Sequence, residues 1–148
     1  MTKELILLPI ISLVLLTIIV WFRMLVLRVS AMKTVRIHPE KMKSQKAKAL
    51  MPEAVNIASE NFANLFEVPV VFYLLSLLVF VTDSVSAFYL ITAITYVSLR
   101  YAHSFIALTY NRVMHRFSVY VLSCLVLWVM WGVFLFQTVS SLLAIPEA

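Results

Sequence analysis

Two opposite charges, Glu67 and Arg100, each lie deep inside a long apolar stretch of the sequence. A lone charge is unfavourable in hydrocarbon, so an ionisable residue within a membrane segment marks a functional site by default. Helical rise places Glu67 ~15 Å from residue 57 and Arg100 ~16 Å from residue 111, near the midplane of a bilayer. At equal depth the most favourable arrangement is an ion pair or a charge cluster in a wetted cavity. We therefore predict that the two side chains are coupled.

More polar side chains accompany the two charges at helical spacing. The first group falls at i, i+4 and i+7 of one helical face and comprises Glu60, Asn64 and Glu67. The second group shares a face of the next apolar stretch and comprises Arg100, His103, Ala107 and Tyr110 or Asn111. Both stripes descend from the same membrane edge. We expect them to face each other or a common cavity.

Membrane helices must position these residues, because the composition indicates a polytopic membrane protein. Of the 148 residues 63% are hydrophobic, one is glycine, and the mean hydropathy is +0.99. Transmembrane strands would need shorter, alternating segments, which the sequence lacks. Each apolar stretch approaches the ~20 residues that a helix needs to cross a bilayer. We predict an all-α membrane protein, one domain over 1–148, with four spans at 5–29, 57–82, 86–111 and 115–142.

The distribution of basic residues predicts the orientation. Lysine and arginine are concentrated in the connection 30–56 and in the third turnaround, which carries Arg112 and Arg116, whereas the second turnaround offers only Asp83. The positive-inside rule then makes both basic connections cytoplasmic and both termini non-cytoplasmic. The net charge of +5 reflects topology and contact with anionic head groups of membrane lipids, and no nucleic-acid partner is needed to explain it. A bacterial inner membrane and an endoplasmic reticulum membrane fit equally well.

The remaining polar residues of the spans predict no metal site. His103 has no second histidine at i+4 and no evident cluster of other ligands. We favour a packing role for it over contact with substrate. Cys124 is the one cysteine and cannot form an intramolecular disulfide, so we interpret it as a small apolar residue.

Pro69 predicts a bend in the second span. It follows Glu67 by two residues and cannot donate a hydrogen bond to the carbonyl of Leu65. The bend would lie beside the charged site.

Two short motifs resemble the MAPEG superfamily, the membrane-associated proteins in eicosanoid and glutathione metabolism. These include microsomal glutathione transferases, leukotriene C4 synthase and microsomal prostaglandin E synthase. The motifs are Asn64-Leu65-Phe66-Glu67-Val68-Pro69 and Arg100-Tyr101-Ala102-His103-Ser104. The spacing of Asn64, Glu67, Arg100 and Arg116 is similar to that of the prostaglandin synthase branch, with no insertion between them.

The resemblance implies a homotrimer of four-helix bundles that binds glutathione between neighbouring subunits, in a cavity open to the cytoplasm. It implies that Asn64 and Glu67 contact glutathione and that Arg116 lies beside the sulfur, where it favours the thiolate. Arg28, or alternatively Arg23, would hold a glutathione carboxylate. The binding site implied in this way also includes the side chains of Arg100, His103 and Tyr110.

The chain departs from the family pattern at several positions. Glutathione-using members tend to carry arginine four residues before the motif asparagine, with arginine or glutamine beside it, whereas this chain has Glu60 and Ala63. Because a carboxylate repels an anionic tripeptide, Glu60 should weaken glutathione binding by ~2–5 kcal/mol. Val68 and Ala107 replace aromatic residues of the family.

Three hypotheses of function follow. The first is a glutathione-dependent transferase or peroxidase that acts on lipophilic small molecules, with thiolate activation by Arg116. The second is a divergent family member that binds another small or lipid-like ligand with a cationic or neutral polar head. The third is a non-enzymatic subunit of a membrane assembly, in which the internal charges only fix the packing.

Overall fold

The computed structural model describes residues 2–35 and 51–144, and within these ranges every regular element is helical. A single 3-10 turn, Lys3–Ile6, leads into the first α-helix. The α-helices are α1 (Leu7–Val35), α2 (Glu53–Asn64), α3 (Val68–Val81), α4 (Ala87–Leu108) and α5 (Val113–Leu143). Most of the predicted connection 30–56 lies outside the described residues, and α1 continues past its predicted end at residue 29 to Val35.

Three helical segments of the described chain are long and apolar enough to cross a membrane: Lys3–Val35, Glu53–Val81 and Val113–Leu143. The helix α4 has 22 residues, and at the rise of an α-helix it is ~33 Å long. It also carries Arg100 and His103, which lower its mean hydropathy. The predicted span 86–111 therefore has the required length, and its place in the membrane stays a prediction.

The second predicted span is interrupted, as the position of Pro69 predicted. The helix α2 ends at Asn64 and α3 begins at Val68, with Glu67 as the N-cap residue at φ −95° and ψ −105°. Pro69 lies in the first turn of α3, where its missing N–H has no intrahelical partner to lose. The predicted bend is confirmed, and it places Glu67 in the break between two helices.

The core forms where helical spacing brings apolar residues to one face of each helix. In α1 the buried residues Leu13, Leu16 and Val20 recur at intervals of three and four. The same spacing in the other helices buries Phe72, Leu75, Val79, Tyr89, Ala93, Tyr96, Leu127 and Met130. The rings of Phe72 and Tyr96 stack with centroids 4.6 Å apart. The core thereby joins α1, α3, α4 and α5.

The extent of contact differs between pairs of helices. The most extensive contacts join α4 to α5 and α1 to α2, and both α1 and α2 also touch α4. Many large apolar side chains on the outer faces remain exposed, among them Phe22, Ile91 and Leu125. Such surfaces suit lipid or another subunit better than water.

Candidate functional site

The guanidinium of Arg100 occupies an aromatic cage between α4 and α5. Arg100 is 1% exposed, and its Nε donates a hydrogen bond to the hydroxyl of Tyr96 at 3.1 Å. Its Cζ lies 5.3 Å from the ring centroid of Tyr96 and 4.9 Å from that of Tyr120. The Sγ of Cys124 is 3.9 Å from its Nη2. Aromatic faces attract a cation, most strongly where water is excluded, so the cage stabilises the buried charge.

The cage follows from four-residue spacing on two helices. Tyr96 precedes Arg100 by four residues on α4, one turn away on the same face. On α5, Arg116, Tyr120 and Cys124 follow one another at the same interval and form a single face. Packing α5 on α4 therefore brings that face against Arg100.

His103 lies one turn from Arg100 and is also buried, with 4% of its surface exposed. Its ring centroid is 6.0 Å from that of Tyr120. Both Arg100 and Arg116 lie within electrostatic range of it. Tyr120 and His103 thus occupy the space between the two arginines.

Arg116 stands at the more open end of this cluster, in the first turn of α5 and half-buried. Its Nη1 donates to the Oδ1 of Asn111 at 3.0 Å. Asn111 has a φ of 44°, in the left-handed region that asparagine tolerates better than most residues. The turn between α4 and α5 therefore presents an amide oxygen that orients the guanidinium while other N–H groups remain available.

The predicted ion pair between Glu67 and Arg100 is absent from the described residues, where Lys3 and Asp83 form the one ion pair at 3.4 Å. Arg100 is enclosed by aromatic rings, whereas Glu67 is exposed in the helix break. Tyr120 separates them: its ring contacts Arg100, and its hydroxyl is within electrostatic range of Glu67. The ion pair, one of the two expected arrangements, does not form within this chain, because the tyrosines supply the local partners of the cation.

Within one chain α2 meets α4 through a polar residue outside the predicted stripe, and the expectation that both stripes border a common cavity stays a prediction. The helix α2 buries the face of Val55, Ala58 and Asn61, and this rotation leaves Glu60 exposed and Asn64 half-buried. Asn61 is the polar residue of α2 that meets α4: it is 2% exposed, and its Oδ1 accepts a hydrogen bond from Ser104 at 3.2 Å. Its Nδ2 is buried without a partner among the described residues.

Two other predicted site residues lie at the edges of the molecule. Tyr110 is 53% exposed and lies beyond the end of α4, so it leaves the face of Arg100, and its hydroxyl is 3.3 Å from Nδ1 of His115. Arg28 is exposed on α1, and its Nη2 donates to Ser59 Oγ on α2 at 3.3 Å. Its alternative, Arg23, donates instead to the carbonyl of Leu108 at 3.1 Å.

The structure also shows site residues that sequence reasoning missed: Tyr96, Tyr120, Cys124 and Asn61. From the sequence alone Cys124 is interpreted as a small apolar residue, and Tyr96, Tyr120 and Asn61 receive no role in the site. A usable signal existed in the four-residue intervals that link Tyr96 to Arg100 and Arg116 to Tyr120 and Cys124. Within residues 2–35 and 51–144 no three or more histidine, cysteine or acidic side chains are grouped so that they could hold a metal ion.

Together these groups form a cationic wall that runs from Arg116, past Tyr120 and His103, to Arg100. Two guanidinium groups with no described carboxylate partner stabilise an anion, and a thiolate is one such anion. In the acidic stripe of α2, Glu60 is exposed, whereas Glu67 lies within electrostatic range of Tyr120 in this wall. The chemistry open to the arrangement is the binding and activation of a group that becomes negative.

The model of the MAPEG family matches residues 6–136, which cover most of the chain and all of the groups described above. No curated protein and no solved structure matches the chain significantly.

Proposed function

The chain belongs to the MAPEG family and is an all-helical integral membrane protein, and on that premise we propose that it is a glutathione-dependent transferase or peroxidase. Its substrates would be lipophilic electrophiles that reach the site through the bilayer. Arg116 activates the thiolate, and Asn64, Glu67 and Arg28 hold the peptide. Arg100, His103 and Tyr110 complete the binding region.

One observation supports this proposal most directly: Arg116 is half-buried at the more open end of the cationic wall. The described contacts fix only Nη1 of its guanidinium, through Asn111, and leave further N–H donors free to face a ligand. Arg100 adds a second positive charge deeper in the protein. A guanidinium stays charged at any physiological pH, so it lowers the pKa of a nearby thiol and makes the nucleophile available near neutrality.

The outward direction of the α2 stripe supports assembly as a homotrimer of four-span bundles. Glu60 and Glu67 are exposed in a single chain, although both belong to a segment that is apolar enough to cross the membrane. Carboxylates within a span do not face lipid. A neighbouring copy or a water-filled cavity must therefore cover them, and we place glutathione in that cavity, between copies and open to the cytoplasm. Both termini then lie on the non-cytoplasmic side.

The chemistry needs only a thiolate held beside the electrophile. In the transferase reaction the thiol releases its proton to solvent, the sulfur bonds to an electrophilic carbon, and the bond to the leaving group breaks with its electron pair. In the peroxidase reaction two glutathione molecules reduce a lipid hydroperoxide to an alcohol and water and become one disulfide. Arg116 stabilises the sulfur anion in both cases.

The exposure of Glu60 favours a second candidate. Glu60 and Glu67 flank Asn64 on the same outward stripe, and two carboxylates attract a cationic or neutral polar head better than an anionic peptide. In this alternative the protein keeps the MAPEG fold and binds another small or lipid-like ligand in the same cavity.

Titration of the purified protein with glutathione tests the proposal. We expect an increase in thiolate absorbance with the wild-type chain, and a loss of about tenfold or more in the thiolate fraction with Arg116→Gln, equivalent to ~1.4 kcal/mol. Arg112→Gln is the matched control, because Arg112 is exposed on the same turn. It should keep the signal. No glutathione binding at millimolar concentration would overturn the proposal, and binding of a cationic amphiphile instead would favour the second candidate.

A further inference from the structure

A long groove runs along the seam between α1 and α4, away from the wall of Arg100 and Arg116. It consists of two cavities of about 590 Å³ and 340 Å³ that both border Tyr101. The larger is lined by residues such as Leu8, Pro9 and Ile94, and the smaller by residues such as Leu16 and Phe105. From Leu5 to Arg23 the groove follows α1 for ~27 Å, close to the ~30 Å thickness of bilayer hydrocarbon.

The hydroxyl at the middle of this groove, that of Tyr101, already has hydrogen-bond partners within the chain. The hydroxyl of Tyr101 donates to the carbonyl of Ser12 at 2.8 Å and accepts from Ser12 Oγ at 3.3 Å. Hydroxyl side chains such as Ser98 and Thr109 also line the groove, but most of the lining surface is apolar. A groove of this size does not stay empty in a bilayer, because its walls would lose their van der Waals partners, and an acyl chain is as apolar as leucine.

One end of the groove carries a positive charge, the guanidinium of Arg23. Its guanidinium borders the 340 Å³ cavity and a smaller one of about 80 Å³, and neither has a carboxylate among its lining residues. Arg23 is exposed, and its Nη2 is bound only to the carbonyl of Leu108, at the last residue of α4. The remaining N–H donors form a fork that fits a phosphate oxygen pair.

We propose that the α1–α4 groove binds one anionic phospholipid, with an acyl chain along the seam and its phosphate at Arg23. The apolar length selects a long acyl chain, and the guanidinium of Arg23 at one end selects a negative head group. The positive-inside rule places Arg23 at the cytoplasmic leaflet, which is where anionic lipids supply such a head group.

The test compares two lipids that share acyl chains and differ in head-group charge. Dioleoyl phosphatidylglycerol and dioleoyl phosphatidylcholine are titrated into the delipidated full-length protein in detergent, and adducts are counted by native mass spectrometry. We expect the anionic lipid to bind about tenfold more tightly. Arg23→Gln should remove this preference and leave the neutral lipid bound as before, whereas Ile94→Trp, which fills the groove, should weaken both. Arg112→Gln, a change of an exposed arginine that does not line the groove, should keep the preference.

Three results would overturn the proposal. They are equal affinity for the two lipids, a preference that survives Arg23→Gln, and an oligomer mass altered by Ile94→Trp while lipid binding is unchanged. The last result would mean that a second copy of the chain covers the groove. Lipid binding requires no thiol, so a failure here leaves the proposed glutathione site untouched.

Discussion

The two charged regions of this molecule differ in whether their side chains find partners within one chain. The cage around Arg100 is complete within one chain: tyrosine rings cover the guanidinium, and Tyr96 accepts its hydrogen bond. The α2 stripe of Glu60, Asn64 and Glu67 is turned outward, and the described contacts give these side chains no partner within residues 2–35 and 51–144. The contrast indicates that Arg100 stabilises the fold of one subunit. The side chains of the α2 stripe, in contrast, are available to a ligand or to a neighbouring copy.

Truncation of Arg100 should have the largest effect on stability. Arg100→Ala empties the cage and leaves the Tyr96 hydroxyl without its donor, so we expect a loss of ~2–5 kcal/mol in the free energy of unfolding, the range for deleting a large buried side chain. Arg100→Met, which keeps most of the volume without the charge, should recover much of this loss. Denaturation in detergent measures both.

The matched control for that experiment is Arg112→Ala, an exposed change that should stay within ~0.5 kcal/mol of the wild-type protein. If Arg100→Ala were no more harmful than the control, the cage would not be a structural element, and the contrast between the two regions would disappear.

Two asparagines of α2 offer an intermediate test of the same contrast. Asn61 is buried and accepts a hydrogen bond from Ser104, whereas Asn64 is half-buried on the outward stripe. We expect Asn61→Ala to destabilise the protein by ~1 kcal/mol, the net value of a typical hydrogen bond. Asn64→Ala should change stability by less than half as much and should weaken glutathione binding instead. Thermal unfolding and glutathione titration on the same samples separate the two effects, and the reverse pattern would contradict the assignment.

The smallest expected effect is the coupling between Glu67 and Arg100. Because the structure has no ion pair between them, a double-mutant cycle of Glu67→Gln and Arg100→Met should give an interaction energy within ~0.5 kcal/mol of zero. A coupling well above ~1 kcal/mol would show that the assembled protein brings the two side chains together after all.

The sequence predicted the helices and the break better than it predicted the partners of the site. Long apolar runs and Pro69 define local structure, so three of the spans and the interruption beside Glu67 could be predicted from the residues alone. The rotation of α2 about its own axis could not be predicted, because periodicity shows which residues share a face and not which face is buried. Asn61 and Asn64 differ by less than one turn, and only the packing of α2 against α4 decides that Asn61 is the buried one.

The partners of Arg100 illustrate a second limit. A cation in a membrane segment suggests a carboxylate partner, and Glu67 was the acid at the same depth. Tyrosine rings can stabilise the same cation without a second charge. Their four-residue spacing from Arg100 and Arg116 is visible in the sequence, but it indicates a shared cage only once α4 and α5 are known to be neighbours.

The central claim is that the α2 stripe lines a water-filled cavity that glutathione occupies. In a Cys124→Ser background, which removes the one native cysteine, Glu60→Cys would be treated with a water-soluble maleimide in the presence and absence of S-methylglutathione. Ile91→Cys, at an exposed apolar position of α4, is the lipid-facing control. The account predicts rapid labelling of Glu60→Cys that S-methylglutathione slows, and little labelling of Ile91→Cys. Labelling of both sites at the same rate, or no protection of Glu60→Cys at saturating ligand, would contradict it.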